Sequence, residues 1–401
     1  MNILQIAPQI PYPVVDGGKI AIYGVTKSLM ELGHKVDFIG YRKEFEESKY
    51  SVEMGKICTL TIVKANVNNT VSGAVKNLVS KVPYNIGKFK TVEFEEQLIK
   101  LLKSKTFDVV HIEHLHMAWT YDVVKKYQNI PVILRQHNLE MKIMQRYAKE
   151  ESNFFLRSYC KLQAAKFTEY EVTTCAKFDN CMMITEVDEE TLLKYNNNIK
   201  TSVVPAGVDE KLFNLSRVSA EPFSLIHLGS MEWLPNKCGL EWYLSEVFPL
   251  ILEKIPETKL YLIGKGTEKI ELCEKISDNV IPLGFVDDLW KEVMSKDLAI
   301  VPLRSGSGMR IKIIEMMAAG QNILSTNVGA EGIGITDKKN ILLADSAKDF
   351  ADETINYSQN KYEKSALAQN AKEFCSERFK WNVIAKKIES VYLEAIKNIG
   401  N

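Results

Sequence analysis

Residues 302–320 read Pro-Leu-Arg-Ser-Gly-Ser-Gly-Met-Arg-Ile-Lys-Ile-Ile-Glu-Met-Met-Ala-Ala-Gly, and the fold assignment turns on them. The apolar residues 298–302 give a strand signal that runs into a small-residue turn, Ser305, Gly306, Ser307 and Gly308. An amphipathic helix is expected to open near Met309 and to stop at Gly320. Free N–H groups at such a helix start, with the positive end of its dipole, make an anion site. Arg304, Arg310 and Lys312 place side-chain charge around it; the chain has only eight arginines, so two this close together are not background. Glu315 follows inside the helix, where a carboxylate can accept two hydroxyl hydrogen bonds, as from a ribose. The stretch reads as the seat of a nucleotide diphosphate.

Strand and helix signals alternate on both sides of it, which predicts parallel sheets with crossover helices. Residues 2–7, 35–39, 108–112, 132–134 and 182–184 read as strands, with helices over 19–32 and 152–176. The pattern restarts after Val204-Pro205-Ala206-Gly207-Val208-Asp209, with strands over 224–228, 259–263 and 279–283 and helices over 239–253 and 287–295. The expected class is α/β: two Rossmann-like domains, residues 1–204 and 205–379, with parallel sheets facing an interdomain cleft. Ligands of such sheets bind beyond the carboxyl ends of the strands. Trp381, Ile384, Ile388, Val391 and Ala395 recur at helical spacing, so 380–401 is expected to form a last helix joined to the N-terminal domain.

Composition narrows the class further. A chain of 401 residues with zero formal net charge has no global field to attract nucleic acid, and no nucleic-acid partner is expected. Seven scattered cysteines without a Cys-x-x-Cys pair fit neither a disulfide framework nor a zinc site, pointing to a reducing cytoplasm. The amino terminus reads as a strand, not a signal peptide, and no apolar run is long enough to span a bilayer.

Four landmarks make the chain similar to the retaining nucleotide-sugar glycosyltransferases of family 4, which have the GT-B fold. Asp16-Gly17-Gly18 follows the first strand, and residues 204–209 resemble the family's linker. Residues 229–239 resemble its phosphate-contacting loop, and 302–320 with 325–332 its donor-binding core. The order holds across nearly the full chain.

That resemblance implies roles for individual residues. Gly17 and Gly18 would bring backbone N–H groups to the donor phosphates or the acceptor, glycine leaving room for close approach. Gly229 and Ser230 would line the donor, and Lys237 would touch the diphosphate. Ser230 stands where many members carry arginine, a cation that Arg304 or Arg310 can replace. Gly284-Phe285-Val286 resembles the stretch whose backbone meets the base; Val286 is the expected contact, and Phe285 is expected in the core. In the family's paired-glutamate motif Glu315 matches the second, ribose-binding glutamate. Ser307 stands where the first would be, leaving the sugar to the backbone of Gly308, Met309 and Arg310.

Four of the six histidines lie between 111 and 137. His116 is expected to end the strand that begins at Asp108, and His137 to follow the strand 132–134. An imidazole at either place suits positioning an acceptor hydroxyl or a sugar oxygen. His116 resembles the family's cleft histidine by position, and His111 is expected in the core. His114, His116 and His137 lack the carboxylate-flanked spacing of metal motifs, so no metal site is expected.

The implied reaction moves a sugar from a UDP- or GDP-linked donor to a saccharide or lipid-linked acceptor with retention. Arg310, Lys312 and His116 are the expected catalytic residues, with Arg304 and Lys237 adding charge at the diphosphate. No Asp-x-Asp occurs, so neither a divalent metal nor a further cofactor is expected. Residues 71–92 carry Lys76, Lys81, Lys88 and Lys90 without an acidic residue, interleaved with apolar side chains. Such a segment can rest on anionic lipid or pack as an amphipathic element on the first domain. Bacterial surface-polysaccharide synthesis is the implied setting, in the cytoplasm, with peripheral contact to the inner face of the plasma membrane left open. Two alternatives stand beside it: an altered GT-B binding or regulatory protein, motivated by Ser307, and a nucleotide-sugar epimerase. A nicotinamide-dependent oxidoreductase is disfavoured, because the first turn lacks Gly-x-Gly-x-x-Gly.

Overall fold

The computed structural model describes residues 1–14, 16–42, 52–151, 153–216, 219–306 and 308–399, without the side chain of Glu150. The chain divides into two compact units, Met1–Gly207 with Trp381–Asn401, and Val208–Lys380. Each is built on one parallel sheet.

In the first unit the strands are β1 (Asn2–Ala7), β2 (Lys35–Tyr41), β3 (Thr59–Val63), β4 (Val109–Glu113), β5 (Val132–Gln136), β6 (Asn180–Met183) and β7 (Thr201–Val203). Their order across the sheet is β3-β2-β1-β4-β5-β6-β7. Ile3, Leu4, Ile6, Val109, Val110 and Ile112 are all fully buried. Helices therefore cover both faces, which is why these strands read as largely apolar runs. In the second unit β8 (Glu221–Leu228), β9 (Lys259–Ile263), β10 (Val280–Gly284), β11 (Lys296–Val301), β12 (Ile323–Ser325) and β13 (Leu342–Leu343) lie in the order β10-β9-β8-β11-β12-β13. Chain direction across the sheet reverses between β1 and β4 and again between β8 and β11. At such switch points the loops leaving the strand ends part and open a crevice.

Seven helices carry the rest of the argument: α1 (Gly17–Glu31), α2 (Val71–Lys76), α3 (Glu140–Glu150), α4 (Phe154–Cys175), α5 (Leu234–Trp242), α6 (Ile311–Ala319) and α7 (Trp381–Ile399). The helix expected from Met309 begins two residues later, with Arg310 as its N-cap. Gly306 (φ 123°) and Gly308 (φ 76°) hold the chain in a turn until that point. The helix expected over 239–253 starts earlier, at Leu234, because Pro235 suits a first helical turn, and it continues through a π-helical turn, Tyr243–Val247. β4 stops at Glu113, so His116 does not end a strand; it sits in the short 3₁₀ turn Leu115–Met117. The break falls at His114, whose φ of 67° a strand cannot accommodate.

Helix α7 belongs to the first unit and completes one of its two apolar layers. Ile384, Ile388, Val391, Tyr392 and Ala395 pack with Ile3, Val25, Leu29, Val109 and Ile133. Trp381, at its start, lies against two glycines. A Cβ on Gly24 would fall 2.0 Å from the indole and one on Gly207 2.4 Å from it. Helix propensity alone favours Gly24→Ala by about 1 kcal/mol. Overpacking against the indole costs about 1–3 kcal/mol. Gly24→Ala is therefore expected to lower the urea unfolding midpoint, and a raised midpoint would contradict this packing.

Candidate functional site

The switch point of the second unit is assembled by close backbone packing. The Gly229 N–H, just after β8, donates to Ile263 O at 2.8 Å, and a Cβ there would come within 2.6 Å of Asn236 Nδ2. On α5, a Cβ on Gly239 would fall 2.5 Å from Pro302 O. Two glycines thus let the start of α5 settle onto the ends of β8 and β11. Asn236, buried by that approach, donates through Nδ2 to Ser230 O (3.1 Å), and its Oδ1 accepts from Lys312 Nζ (3.1 Å). Lys312 Nζ also donates to Leu228 O at 2.5 Å.

Lys312 therefore meets two neutral acceptors and, among the described residues, no carboxylate. Burial, then the neighbouring charge of Arg310, lowers its pKa to about 7. Beside it in the sheet, His227 supplies no counter-charge: burial and then Lys312 push that imidazole down to about 3. Arg310 is itself buried; Nη1 donates to Gly308 O (2.6 Å), and the guanidinium lies 5.6 Å from the Trp233 ring. A Cβ on Gly306 would meet Arg310 Nη2 at 2.5 Å, so that glycine gives the guanidinium its place. Glu315, one turn beyond Lys312, is half-buried and its carboxylate has no hydrogen-bond partner among the described residues. Burial, then the charge of Asp209, raises it to about 7.

The other expected donor contacts divide. Gly229, Ser230, Gly308 and Met309 lie on the loops around this group, Met309 packing on the unit's apolar core. Arg304 is exposed, 4.9 Å from the Trp242 ring. Lys237 does not stand in a loop but on the exposed face of α5, 3.9 Å from Glu241 at i+4, a surface pair of small energetic weight. Val286 is partly buried against the core. Phe285, expected in the core, is 86% exposed instead. β10 is the edge strand, and Gly284 (φ 64°) turns the chain outward after it. Ser307 lies outside the described residues.

At the switch point of the first unit the charges are internally matched. Glu113, fully buried, accepts from Gln5 Nε2 (2.9 Å) and His137 Nε2 (2.6 Å), with Arg135 Nη1 at 3.5 Å and His111 Nε2 at 3.2 Å. Burial would raise its pKa, but His111, Arg135 and His137 together hold it well below the carboxylate range. His111 also hydrogen-bonds Tyr392 of α7, and Thr26 of α1 donates to Gln5 (2.8 Å). His137 is thereby a buried member of this network, its pKa lowered chiefly by burial against the pull of Glu113. Its ring stacks on His114 at 3.7 Å. His114 is also held neutral by burial, with His137 and His116 adding to the shift. His116 is half-buried, edge-on to Phe89 at 5.4 Å. Lys88 lies 5.2 Å from that ring, and Glu140, at the start of α3, is raised to about 7 by burial. The first-strand glycines open α1: Asp16 caps the Lys19 N–H (2.9 Å), leaving the Gly17 and Gly18 N–H groups without a partner among the described residues.

Sequence reasoning missed Asn236, Trp233, Glu113 and Arg135. Asn236 adjoins Lys237 in a stretch already singled out, which forms the start of α5. Nothing local marks Glu113, whose partners come from across the sheet. Among the described residues no group of three or more His, Cys, Asp or Glu could hold a metal ion.

The sequence and the fold can be set beside known proteins. Residues 15–212 match the family described as Glycosyltransferase Family 4, and residues 222–360 that described as Glycosyl transferases group 1. A 44.6 kDa protein in the cps region of Klebsiella pneumoniae is 24% identical, over 94% of this chain and 96% of its own. A glycosyltransferase of Methanocaldococcus jannaschii is 23% identical over the whole of both chains. Among solved structures, sucrose-phosphate synthase from Thermosynechococcus elongatus superposes with a TM-score of 0.72 at 15% identity, covering 99% of this chain and all of that one. HepE from Anabaena, solved with UDP, gives 0.70 at 13% identity over 98% of this chain and all of its own.

Two outcomes test these electrostatics. Between pH 7 and 10.5 the unfolded chain keeps the Lys312 proton while the folded chain releases it, so this group makes stability rise with pH in that window. Lys312→Met is expected to flatten that rise in urea unfolding at constant ionic strength; identical pH profiles would contradict the lowered pKa. In the first unit, Glu113→Ala leaves Arg135 buried without its carboxylate and is expected to cost about 3–5 kcal/mol by the same measurement.

Proposed function

We propose that this chain, which belongs to the glycosyltransferases of GT-B fold with a Family 4 first unit and a group 1 second unit, transfers a sugar from a nucleoside diphosphate with retention and without a metal. The observation that carries the reading is the cation pair of Lys312 and Arg310, set at a topological switch point with no carboxylate on the lysine among the described residues. A diphosphate supplies the missing negative charge. As the anomeric bond breaks, charge grows on the departing phosphate, and fixed donors there stabilise the transition state more than the ground state. One well-placed donor of this type contributes about 3–4 kcal/mol. Glu315, without a hydrogen-bond partner among the described residues, would accept the ribose hydroxyls, and the exposed ring of Phe285 would face the base.

UDP is the first donor to test, since HepE has been solved with UDP and with UDP-glucose. The acceptor, a saccharide or a lipid-linked saccharide, would bind at the half-buried rim of His114, His116 and Glu140, where an imidazole can accept from or donate to a hydroxyl. Gly17 and Gly18 offer two free N–H donors at the same end of the first sheet. Seven cysteines free of disulfides favour the cytoplasm, and the Klebsiella relative from the cps region favours surface-polysaccharide synthesis. Ser307 favours a second reading, a binding protein without turnover. Release of UDP in the presence of acceptor separates the two.

Arg310→Ala with Lys312→Ala is expected to lower turnover about a thousand-fold or more while the chain stays folded. Product NMR should show the donor's anomeric configuration kept, and EDTA should leave the rate unchanged. Full turnover by the folded double variant would remove the reading.

A further inference from the structure

One cavity of the first unit opens beside α2 and α4. It has a volume of about 360 Å³ and is lined by Val71, Ala74, Tyr84, Met144, Tyr159 and Phe167, among others. Around its mouth the surface is apolar in a way that packing does not explain. Val71, Val75 and Val79 follow one another four residues apart from α2 into the next turn, and all three are exposed, Val79 to 94%. On α4, Tyr159, Gln163 and Phe167 line the cavity at the same spacing. One turn earlier Phe155 continues that line outward and is 82% exposed, with Phe154 and Leu156 exposed beside it. The two segments form one surface: Gln163 Nε2 donates to Asn77 Oδ1 (3.0 Å), and the Tyr84 N–H donates to Gln163 Oε1 (3.1 Å). Lys166 Nζ adds a bond to Asn77 O (2.7 Å).

Charge identifies the occupant. Residues 64–92 and 152–168 together contain eight Lys and Arg and not one Asp or Glu, in a chain whose formal net charge is zero. Lys76, Lys81, Arg157 and Lys161 form no ion pair among the described residues. Exposed apolar side chains ringed by unneutralised cations match the boundary between the acyl chains and the headgroups of an anionic bilayer. A protein partner of this breadth would need a large acidic, apolar counterpart, whereas every anionic bilayer already has both layers in this order.

We infer that this face, formed by α2, the turn after it and the first two turns of α4, docks the enzyme on an anionic phospholipid bilayer. The valines and Phe155 enter the acyl boundary, and the lysines lie at the phosphate level. The inference deepens the lipid-linked acceptor reading above and rests on it only for its purpose, not for its chemistry. Docking would place the acceptor end of the first unit near the membrane surface on which a lipid-linked saccharide is confined.

Co-sedimentation of the full chain tests it, with vesicles of phosphatidylcholine alone and with added phosphatidylglycerol, at low and high salt. Binding is expected only with phosphatidylglycerol, weakened by salt, and reduced about ten-fold or more by Val79→Glu with Phe155→Glu. Both side chains are exposed, so the variant should keep the fold and the UDP affinity of the unaltered chain. Equal binding by both proteins, or none by either, overturns the inference. So does a concentration-dependent dimer lost in the variant without any vesicle binding, which would assign the face to a second copy of the chain. UDP affinity measured on the same samples keeps the readings apart: UDP binding without vesicle binding overturns the docking alone, and vesicle binding without UDP binding overturns the donor assignment alone.

Discussion

A half-buried ammonium, bonded among the described residues to neutral oxygens alone, organises the second unit. Lys312 ties α6 to the end of β8 through Leu228 O and to the start of α5 through Asn236. Those three elements converge at the point where the sheet reverses its winding. The glycines nearby have one purpose in common, since Gly229, Gly239 and Gly306 each remove a Cβ that would hold Asn236, Pro302 or Arg310 away. The result is a cation kept near its titration point by desolvation, able to gain much from an arriving anion. Had a carboxylate neutralised it, the same geometry would be a structural salt bridge with little left for a ligand.

The first unit shows that alternative. Its switch point is wound in the same sense, yet there the buried charge is already matched: Glu113 gathers His137, Arg135 and His111 from two strands and is satisfied. One layer further out lie His114 and Glu140, with His116 edge-on to Phe89. Backbone strain at His114 fits this division, because a residue at φ 67° persists only where its surroundings fix it. Here the stack on His137 and the network beneath it do so. One unit thus carries a desolvated cation at its switch point, and the other a buried carboxylate that is already matched.

Much of this was legible in the amino-acid order, for a physical reason. Strands buried on both faces are largely apolar, so β1 and β11 announce themselves, and the Trp381 to Ala395 spacing marks α7 because only one of its faces meets the sheet. Short or partly exposed strands carry no such constraint. β3 is half-buried at an edge, β12 has three residues and β13 two, and none rises above its surroundings. Aromaticity suggests burial for Phe285, but its place just past the edge strand β10 leaves it exposed. The link between Asn236 and Lys312 joins residues 76 positions apart, and no local pattern encodes a contact of that kind. The grouping of Arg304, Arg310, Lys312 and Glu315 was visible; that Lys312 would be desolvated, and Arg304 would not, required the fold.

The most direct measurement is the proton count on UDP binding, taken by titration calorimetry at pH 8 in buffers of different ionisation heat. A lysine with a pKa of about 7 is mostly neutral at that pH and must take up a proton to meet a diphosphate. Uptake approaching one proton per UDP, lost in Lys312→Met, is the predicted result. Binding with no proton taken up, or unchanged in that variant, would show that the ammonium of Lys312 is not where the diphosphate rests.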